Sequence, residues 1–344
     1  MSAVDGRRSP RPATYAHGMP DFPAARLHVV SGKGGTGKTT VAAALALALA
    51  SRGKKVLLVE VEGRQGIAQL FDSPPLPYEE RKVAVAPSGG DVFALAVDPE
   101  QALLDYLHMF YKVSPTGIPA RTLRRVGAID FATTIAPGLR DVLLTGKVKE
   151  SVVRQRGGRP VYDAVVLDAP PTGRVPRFLN ISHEIGALAK VGPLKTQSDN
   201  VMALFKSDQT AVHLVTLLEE MPVQETIDAV EELTALGLPV GGVIVNAVRT
   251  PALQAADLLA AERGTLDLAA LRKGLGSVGL DVGLAPVLAA EAADHAARVA
   301  LEERGRDALA DLHRPSYELP LLPDAVDLGG LYDLATMLCE QGLA

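Results

Sequence analysis

The chain has 344 residues, of which 47% are hydrophobic, so it can form one large α/β domain or two smaller ones. Its net charge of -5 argues against a nucleic-acid partner, because proteins that bind nucleic acids usually present a basic surface. Its one cysteine, Cys339, excludes an internal disulfide framework and a zinc site built from paired cysteines, and fits a reducing cytoplasm.

The first 25 residues contain several arginines and prolines but no apolar core of a signal peptide, so we expect a disordered tail. The longest apolar run, residues 41–50, is about half as long as a bilayer-spanning helix. We therefore expect a cytoplasmic protein whose contact with a membrane, where there is one, is made through a partner.

A glycine-rich loop between a predicted strand at residues 26–31 and a predicted helix at residues 38–52 has the form of a P-loop. The pattern Gly-x-x-x-x-Gly-Lys-Ser/Thr is met by Gly32, Gly37, Lys38 and Thr39. In such loops, backbone N–H groups at the positive end of a helix wrap a phosphate chain. The residues predicted to hold the phosphates of ATP are Gly32, Gly34, Gly35, Thr36, Gly37, Lys38, Thr39 and Thr40.

Three side chains of this loop have predicted roles. Lys38 is expected to reach the β- and γ-phosphates, and the Thr39 hydroxyl is expected to bind Mg²⁺. A second lysine, Lys33, is not needed to hold phosphate within one subunit, so we predict that it reaches the nucleotide of a facing subunit, as an arginine finger does. The alternative is a solvated loop lysine.

A second predicted strand, residues 55–60, completes a right-handed βαβ unit. The loop after it carries Glu62, which lies at the edge of the sheet where ligands bind and could orient the attacking water. On spacing alone, an exposed loop acid without a role remains the alternative.

Residues 70–90 are predicted to form a loop because of their prolines, and residues 91–97 a third strand. Residues 99–156 show helical spacing with no strand pattern, which indicates an inserted helical subdomain. Its apolar stripe is more typical of core than of a binding surface, although a client or partner could be held there.

The segment 161–168 is predicted to be a strand that is buried on both faces and ends in Asp168. A carboxylate at the tip of the strand beside a P-loop is the magnesium-side acid of P-loop NTPases. The Pro-Pro-Thr-Gly segment that follows could act as a switch that responds to the γ-phosphate. The alternative role of Asp168 is to cap the next helix.

The remainder of the chain continues the alternation of strands and helices. Predicted strands are residues 211–217, 240–245 and 316–319, and predicted helices are residues 223–236, 286–312 and a closing helix whose apolar face should dock on the sheet. Asn246 follows a strand and could pair with a purine edge, or simply form a turn. The histidines lack the spacing of metal ligands.

These elements predict the α/β class: a P-loop NTPase with a mostly parallel central sheet, flanked by helices. We expect one nucleotide-binding domain over residues 26–344, interrupted by the helical insertion at residues 99–156.

The motifs together resemble the ArsA family of arsenite-pump and tail-anchored-protein-targeting ATPases. The similar segments are residues 32–39, a deviant Walker A motif, residues 168–174 with 177–179 as switch II, and Asn246 on the adenine side. The resemblance implies Mg-ATP, a dimer that sandwiches two ATP molecules, and Lys33 crossing between subunits. It also implies nucleotide contacts from Glu225 and from the loop that contains Pro320 and Leu321.

The chain departs from this family in two respects. The water-polarising aspartate of the family corresponds to Glu62, and the cysteines that bind metalloid or zinc have no counterpart, so we expect neither zinc nor metalloid. We predict an ATPase, working as a homodimer or with a related subunit, that drives a membrane-associated partner such as an anion-transport system. The alternatives are a targeting chaperone for hydrophobic segments and a slowly hydrolysing regulatory subunit.

Overall fold

The computed structural model describes residues 21–87, 89–111, 137–180, 193–323 and 326–344. Residues 1–20 of the predicted tail and residues 112–136 of the predicted insertion lie outside the described residues.

An eight-stranded sheet forms the centre of the described part of the chain. Its strands are β1 (Leu27–Gly32), β2 (Lys55–Glu60), β3 (Arg81–Val85), β4 (Asp91–Ala96), β7 (Ala164–Asp168), β8 (Thr210–Thr216), β9 (Val240–Val248) and β10 (Ser316–Pro320). They lie in the order β10-β9-β8-β1-β7-β2-β4-β3. Every neighbouring pair is parallel except β3 with β4, which confirms the predicted α/β class with a mostly parallel sheet. A separate hairpin consists of β5 (Gln155–Arg156) and β6 (Arg159–Pro160).

Helices cover both faces of the sheet. The described helices are α1 (Lys38–Ala50), α2 (Gly66–Leu70), α3 (Pro99–Tyr111), α4 (Pro137–Val153), α5 (Val175–Leu179), α6 (Pro193–Phe205), α7 (Glu220–Ala235), α8 (Ala255–Glu262), α9 (Leu268–Ser277), α10 (Ala285–Ala310) and α11 (Leu328–Glu340). None of the helices within these ranges has the length and apolar character needed to cross a bilayer.

The helix α1 is buried on every side, from Val41 to Ala50. Its alanines and leucines therefore show no amphipathic pattern, since the sheet lies on one side of it and α11 on the other. The apolar face of α11 packs on α1 and on β10, so the predicted docking of this helix on the sheet is made largely through α1. This packing buries α1 between the sheet and α11.

The described helices of the insertion belong to the core. Val142, Leu144 and Val148 of α4 are buried in the same apolar cluster as residues of β1 and β7. This agrees with the interpretation of the apolar stripe as core for α4. The domain also includes residues before Arg26, because the Asp21 N–H donates to the Gly342 carbonyl at 3.0 Å.

Two predictions of local structure were wrong. Residues 70–90 contain the edge strand β3, which begins with two exposed cations, Arg81 and Lys82, and has no buried face to produce an alternating pattern. The hairpin of β5 and β6 begins in the last two residues of the segment predicted to be helical, which ended at residue 156, and it turns through Gly157 and Gly158 at positive φ. The hairpin is exposed, and β3 is exposed or only half-buried along its length, so neither element has a buried face whose hydrophobic periodicity would reveal it.

Strand β1 has β7 on one side and β8 on the other. Because the three strands are parallel, their carboxyl ends lie at the same edge of the sheet. The loops that follow β1 and β7 are therefore neighbours, and the candidate site is built at this edge.

Candidate functional site

The glycine-rich loop turns sharply between β1 and α1, and its glycines are required for two different reasons. A Cβ atom on Gly32 would lie 2.1 Å from the Val215 carbonyl oxygen, and one on Gly37 would lie 2.3 Å from Asn246 Nδ2. Gly34 and Gly35 instead face open space, with no atom within 4 Å of an added Cβ. The loop thus packs tightly at its two ends and leaves its middle accessible to a ligand.

The loop meets the requirements of a phosphate cradle. Helix α1 begins after Gly37, which has no side chain to cap the helix, and no acidic residue lies in the first turn. The N–H groups of that turn and the positive end of the helix dipole are therefore directed to the loop without a competing carboxylate. Thr40 lies in the same first turn.

Lys38 is nearly buried, and its Nζ donates to the Lys33 carbonyl at 3.3 Å. Burial lowers the pKa of this lysine, while the nearby carboxylates of Asp168 and Glu62 act in the opposite direction. The ammonium group therefore lies within the electrostatic reach of both predicted catalytic acids.

The Thr39 hydroxyl donates to Asp168 Oδ2 at 2.7 Å. Burial raises the pKa of Asp168 to about 6, whereas the hydrogen bond from Thr39 and the charge of Lys38 favour the ionised carboxylate. A hydroxyl and a carboxylate are hard oxygen ligands of the kind that Mg²⁺ binds beside a phosphate chain, so the pair fits that ion. Within the described residues, no cluster of three or more His, Cys, Asp or Glu side chains forms a further metal site.

Glu62 lies on the loop after β2, and two arginines share its carboxylate. Arg174 Nη1 lies 3.4 Å from Oε1, and Arg64 Nη2 lies 3.6 Å from Oε2. The charge of Glu62 acts on the pKa of both Lys38 and Asp168, so its carboxylate lies within electrostatic reach of the P-loop.

A second acid, Glu60, ends β2 just before this loop and is not among the predicted site residues. Its side chain is buried, and its carboxylate accepts hydrogen bonds from the N–H groups of Gln65 at 2.5 Å and Ile67 at 3.4 Å. Glu60 therefore holds the loop that carries Glu62. Its position at the end of an apolar strand, like that of Asp168, is the signal that could have identified it.

The segment after Asp168 is attached to β1 and to the P-loop. The Ser31 hydroxyl donates to the Pro170 carbonyl at 2.7 Å, and the Thr172 N–H donates to the Gly32 carbonyl at 3.2 Å. A displacement of this segment would therefore be transmitted directly to the start of the P-loop.

Lys33 and Glu225 form an ion pair at 2.7 Å within one chain. Glu225, in α7, also accepts a long hydrogen bond from the Thr172 hydroxyl at 3.4 Å. The structure thus places Glu225 at the P-loop, between Lys33 and Thr172 of the predicted switch segment.

The predicted base-side residues lie at the far side of the P-loop. Asn246 belongs to β9, not to a turn, and its Nδ2 donates to the Thr36 carbonyl at 2.9 Å. Pro320 pairs in register with Val248 on the neighbouring strand, and the Leu321 N–H donates to the Val248 carbonyl at 2.8 Å. These residues lie at the same edge of the sheet as the cradle.

This combination of a parallel sheet, a glycine-rich loop at the amino end of a buried helix and an acid on the adjacent strand defines the class of P-loop nucleotide hydrolases. Comparison with known proteins gives the family. The profile of the ArsA ATPase family, described as anion-transporting ATPase, matches residues 25–207.

Individual relatives agree with this match. The chain is 55% identical over 322 residues to the ATPase BagA of Mycobacterium tuberculosis (strain ATCC 25618 / H37Rv), a match that covers 92% of this chain and 94% of the relative. It is 28% identical to the arsenical pump-driving ATPase of Acidiphilium multivorum, covering 73% of this chain and 45% of that protein. It is 27% identical to the ATPase GET3 of Kluyveromyces lactis, covering 63% and 70% of the two chains. The chain therefore belongs to the ArsA ATPase family and is an ATPase, as the sequence motifs predicted.

Proposed function

We propose that this ATPase works as a nucleotide-sandwich dimer, which closes when it binds Mg-ATP and opens after hydrolysis, and that this cycle drives a membrane-associated partner such as an anion-transport system. The observation that carries the site assignment is the 2.7 Å hydrogen bond between Thr39 and Asp168 at the end of the P-loop. Two magnesium-type ligands from distant parts of the sequence meet at that point.

In this proposal the P-loop holds the phosphates of ATP. The open space at Gly34 and Gly35 admits the phosphate chain, and Lys38 exchanges its contact with the Lys33 carbonyl for the β- and γ-phosphates. On the base side, Asn246 is placed by its bond to Thr36, and Pro320 and Leu321 flank it from the next strand.

Thr39 and Asp168 are the residues that would hold Mg²⁺. When bound, the ion neutralises charge on the β- and γ-phosphates during hydrolysis. Asp168 is the buried member of the pair, and it keeps the Thr39 hydroxyl oriented.

Glu62 is assigned the role of orienting the water that attacks the γ-phosphate. Its carboxylate extends from the loop anchored by Glu60, and only 17% of its side-chain surface is exposed. Hydrolysis transfers the γ-phosphoryl group to that water, and ADP, inorganic phosphate and a proton are released. Lys33 is assigned to the nucleotide of the facing subunit, where its charge would stabilise the transferred group.

The switch segment would couple hydrolysis to movement of the dimer. Its bonds from Ser31 to Pro170 and from Thr172 to Gly32 connect it to the P-loop, and Glu225 connects it to Lys33. Loss of the γ-phosphate would therefore move Glu225, the residue with which Lys33 pairs inside its own chain.

The partner is proposed from the family alone. The family is described as anion-transporting, and a relative from Acidiphilium multivorum is named an arsenical pump-driving ATPase. We propose a cytoplasmic ATPase that engages the membrane through such a partner, with a second subunit that is either another copy of this chain or a related ATPase.

The experiment has two parts. The purified chain is examined by size-exclusion chromatography with light scattering, with and without Mg-ATP, alongside Glu62→Gln as a trapped form and Lys38→Ala as the control. Nucleotide-dependent dimerisation of the trapped form, absent in Lys38→Ala, supports the sandwich. A chain that hydrolyses ATP while it remains monomeric under all conditions contradicts it.

The second part identifies the partner. The trapped Glu62→Gln chain is used with Mg-ATP to recover proteins from native membranes, and Lys38→Ala again serves as the control. Recovery of an integral membrane transport protein only with the trapped form supports the proposal. Capture of isolated hydrophobic helices instead would favour a targeting chaperone.

A further inference from the structure

A polar cavity of about 250 Å³ lies between the loop after β2, the segment after β7 and the start of α4. Arg64, Arg140 and Arg174 line it, together with the acids Glu62 and Asp141. The P-loop glycines and Lys38 are not among its lining residues. The cavity is therefore lined by a different set of residues from the phosphate cradle, and Glu62 is the predicted site residue that it includes.

The three guanidinium groups come from three different elements. Arg64 follows β2, Arg174 follows β7, and Arg140 lies near the beginning of α4. Three cations and two acids leave this lining with one excess positive charge. Bringing like charges together around one small cavity is unfavourable unless an anion neutralises them.

The pairing inside the cavity is incomplete. Arg174 and Arg64 both approach the single carboxylate of Glu62, at 3.4 and 3.6 Å, whereas a strong guanidinium–carboxylate bond measures about 2.7–2.9 Å. Arg140 Nε is buried without a hydrogen-bond partner in the described part of the protein. A buried donor of this kind is costly in free energy when it remains unpaired, so the site is arranged to accept a further acceptor group.

We propose that this cavity is a binding site for a tetrahedral oxyanion of the size of inorganic phosphate. Its volume is below the ~300–1,000 Å³ of sites for drug-sized ligands, so it suits a small oxyanion better than a nucleotide. Arginine is the side chain best matched to such a ligand, because its planar fork donates two parallel hydrogen bonds to phosphate oxygens.

Binding at this site affects the catalytic acid directly. An oxyanion that binds Arg64 and Arg174 draws both guanidinium groups away from the carboxylate of Glu62. The position of Glu62, and with it the rate of hydrolysis, then depends on whether the cavity is filled. The binding site goes beyond the proposed dimer cycle and does not require it, whereas its effect on the rate rests on the role proposed for Glu62.

The test measures binding of inorganic phosphate to the full chain, by isothermal titration and by ³¹P NMR, with Mg-ADP at saturation so that the P-loop is occupied. The variants are Arg140→Gln, Arg140→Lys and Lys38→Ala, with thermal unfolding as the check that each is folded. We expect Arg140→Gln to weaken phosphate binding at least tenfold, Arg140→Lys to weaken it less, and Lys38→Ala to retain it. Absence of phosphate binding in the wild type, equal binding in Arg140→Gln, or loss of binding in Lys38→Ala overturns the proposal.

The phosphate can come from solution or from hydrolysis, and a second measurement separates the two. Single-turnover release of phosphate from ATP is followed with a phosphate sensor in wild type and Arg140→Gln. Faster release in Arg140→Gln indicates that the site holds the phosphate produced by hydrolysis before it leaves the protein. Unchanged release, with binding of added phosphate lost, assigns it to phosphate from solution. Because binding is also measured in Lys38→Ala, failure of the nucleotide-site assignment would leave this test intact.

Discussion

Lys33 Nζ lies 2.7 Å from Glu225 Oε1, so the lysine predicted to serve the facing subunit is paired within its own chain. About a third of each side chain is exposed, at 32% and 35%, and ion pairs of this kind contribute at most about 1 kcal/mol. The pair is therefore easily exchanged for a phosphate group. Closure of the proposed dimer would replace the ion pair between Lys33 and Glu225 with a contact between Lys33 and the nucleotide of the facing subunit.

Lys33→Ala is expected to lower turnover while nucleotide binding by the single chain is retained, because the P-loop contacts of Lys38 remain. Mixing Lys33→Ala with Lys38→Ala chains should restore part of the activity if the lysine acts across the subunit boundary. In the mixed dimer, ATP held by the Lys33→Ala chain meets an intact Lys33 from its neighbour. Steady-state ATPase assays of the mixture and of each variant alone measure this.

The matched control for this experiment is Glu225→Gln, which removes the in-chain ionic partner and keeps the lysine. Its mixture with Lys38→Ala should be no more active than expected from Glu225→Gln alone. Failure of the first mixture to recover any activity would falsify the assignment of Lys33 to the facing subunit.

Thr39→Ala is expected to raise the Mg²⁺ concentration needed for half-maximal ATPase activity by about tenfold or more, because it removes one of the two oxygen ligands proposed for the ion. Thr39→Ser is the control, since it keeps the hydroxyl that donates to Asp168. A magnesium titration of the ATPase rate distinguishes the two variants. Equal shifts in both would contradict the specific role of Thr39.

Glu62→Gln is expected to lower kcat by roughly 10²–10⁴-fold, the usual contribution of a group that positions or accepts a proton from the nucleophile. Binding of Mg-ATP should remain, because the ion pairs of Glu62 are with Arg64 and Arg174, which lie outside the P-loop. The ATPase rate and equilibrium nucleotide binding are measured on the same preparation. Unchanged turnover in Glu62→Gln would remove this residue from the mechanism.

Glu60→Gln provides the comparison at the neighbouring acid. Its amide can no longer accept both backbone hydrogen bonds, so we expect a loss of about 1–3 kcal/mol in the free energy of unfolding. Chemical denaturation measures this loss. Glu62→Gln, which has no backbone N–H partner in the described structure, should be close to wild type in that measurement.

A pair of buried histidines makes stability depend on acid pH. His28 and His213 face each other across β1 and β8, with Nδ1 of His28 3.1 Å from Nε2 of His213. The Gly242 N–H donates to Nδ1 of His213, so Nε2 of that ring carries the proton and donates to His28. Both rings are thus satisfied in the neutral form, and protonation of either removes an acceptor.

Burial lowers the pKa of His28 to about 4, and burial and His28 together lower the pKa of His213. Because the unfolded value is 6.5, the stability from the neutral rings is complete above about pH 6.5 and is lost as the pH falls toward 4. His28 alone contributes a loss of about 3 kcal/mol across this interval.

Unfolding free energies measured between pH 7 and pH 4 test this pH dependence. The slope should be shallower in His28→Gln and unchanged in the control His313→Asn, because His313 is exposed. A slope in His28→Gln as steep as in the wild type would contradict the assignment.

The P-loop, the acid at the end of β7 and the α/β class could be predicted from the sequence, because each depends on residues that are adjacent in the chain. A glycine pattern between an apolar strand and a helix predicts a P-loop from local spacing alone. An apolar strand that ends in Asp168 likewise places this acid at the tip of a strand. The wrong predictions concern β3 and the start of the hairpin of β5 and β6, which have no buried face and so leave no periodic pattern.

Contacts between distant residues were decided by the tertiary structure. Asn246 was predicted for the base side, but only the packing of β9 beside the P-loop shows its amide bonded to Thr36. The pairing of Lys33 with Glu225 and the meeting of three arginines around one cavity join segments that are far apart in the sequence. Local spacing determines which chemical groups lie at the end of each strand and in each loop. Only the folded sheet determines which of these groups form an ion pair, form a hydrogen bond or line the same cavity.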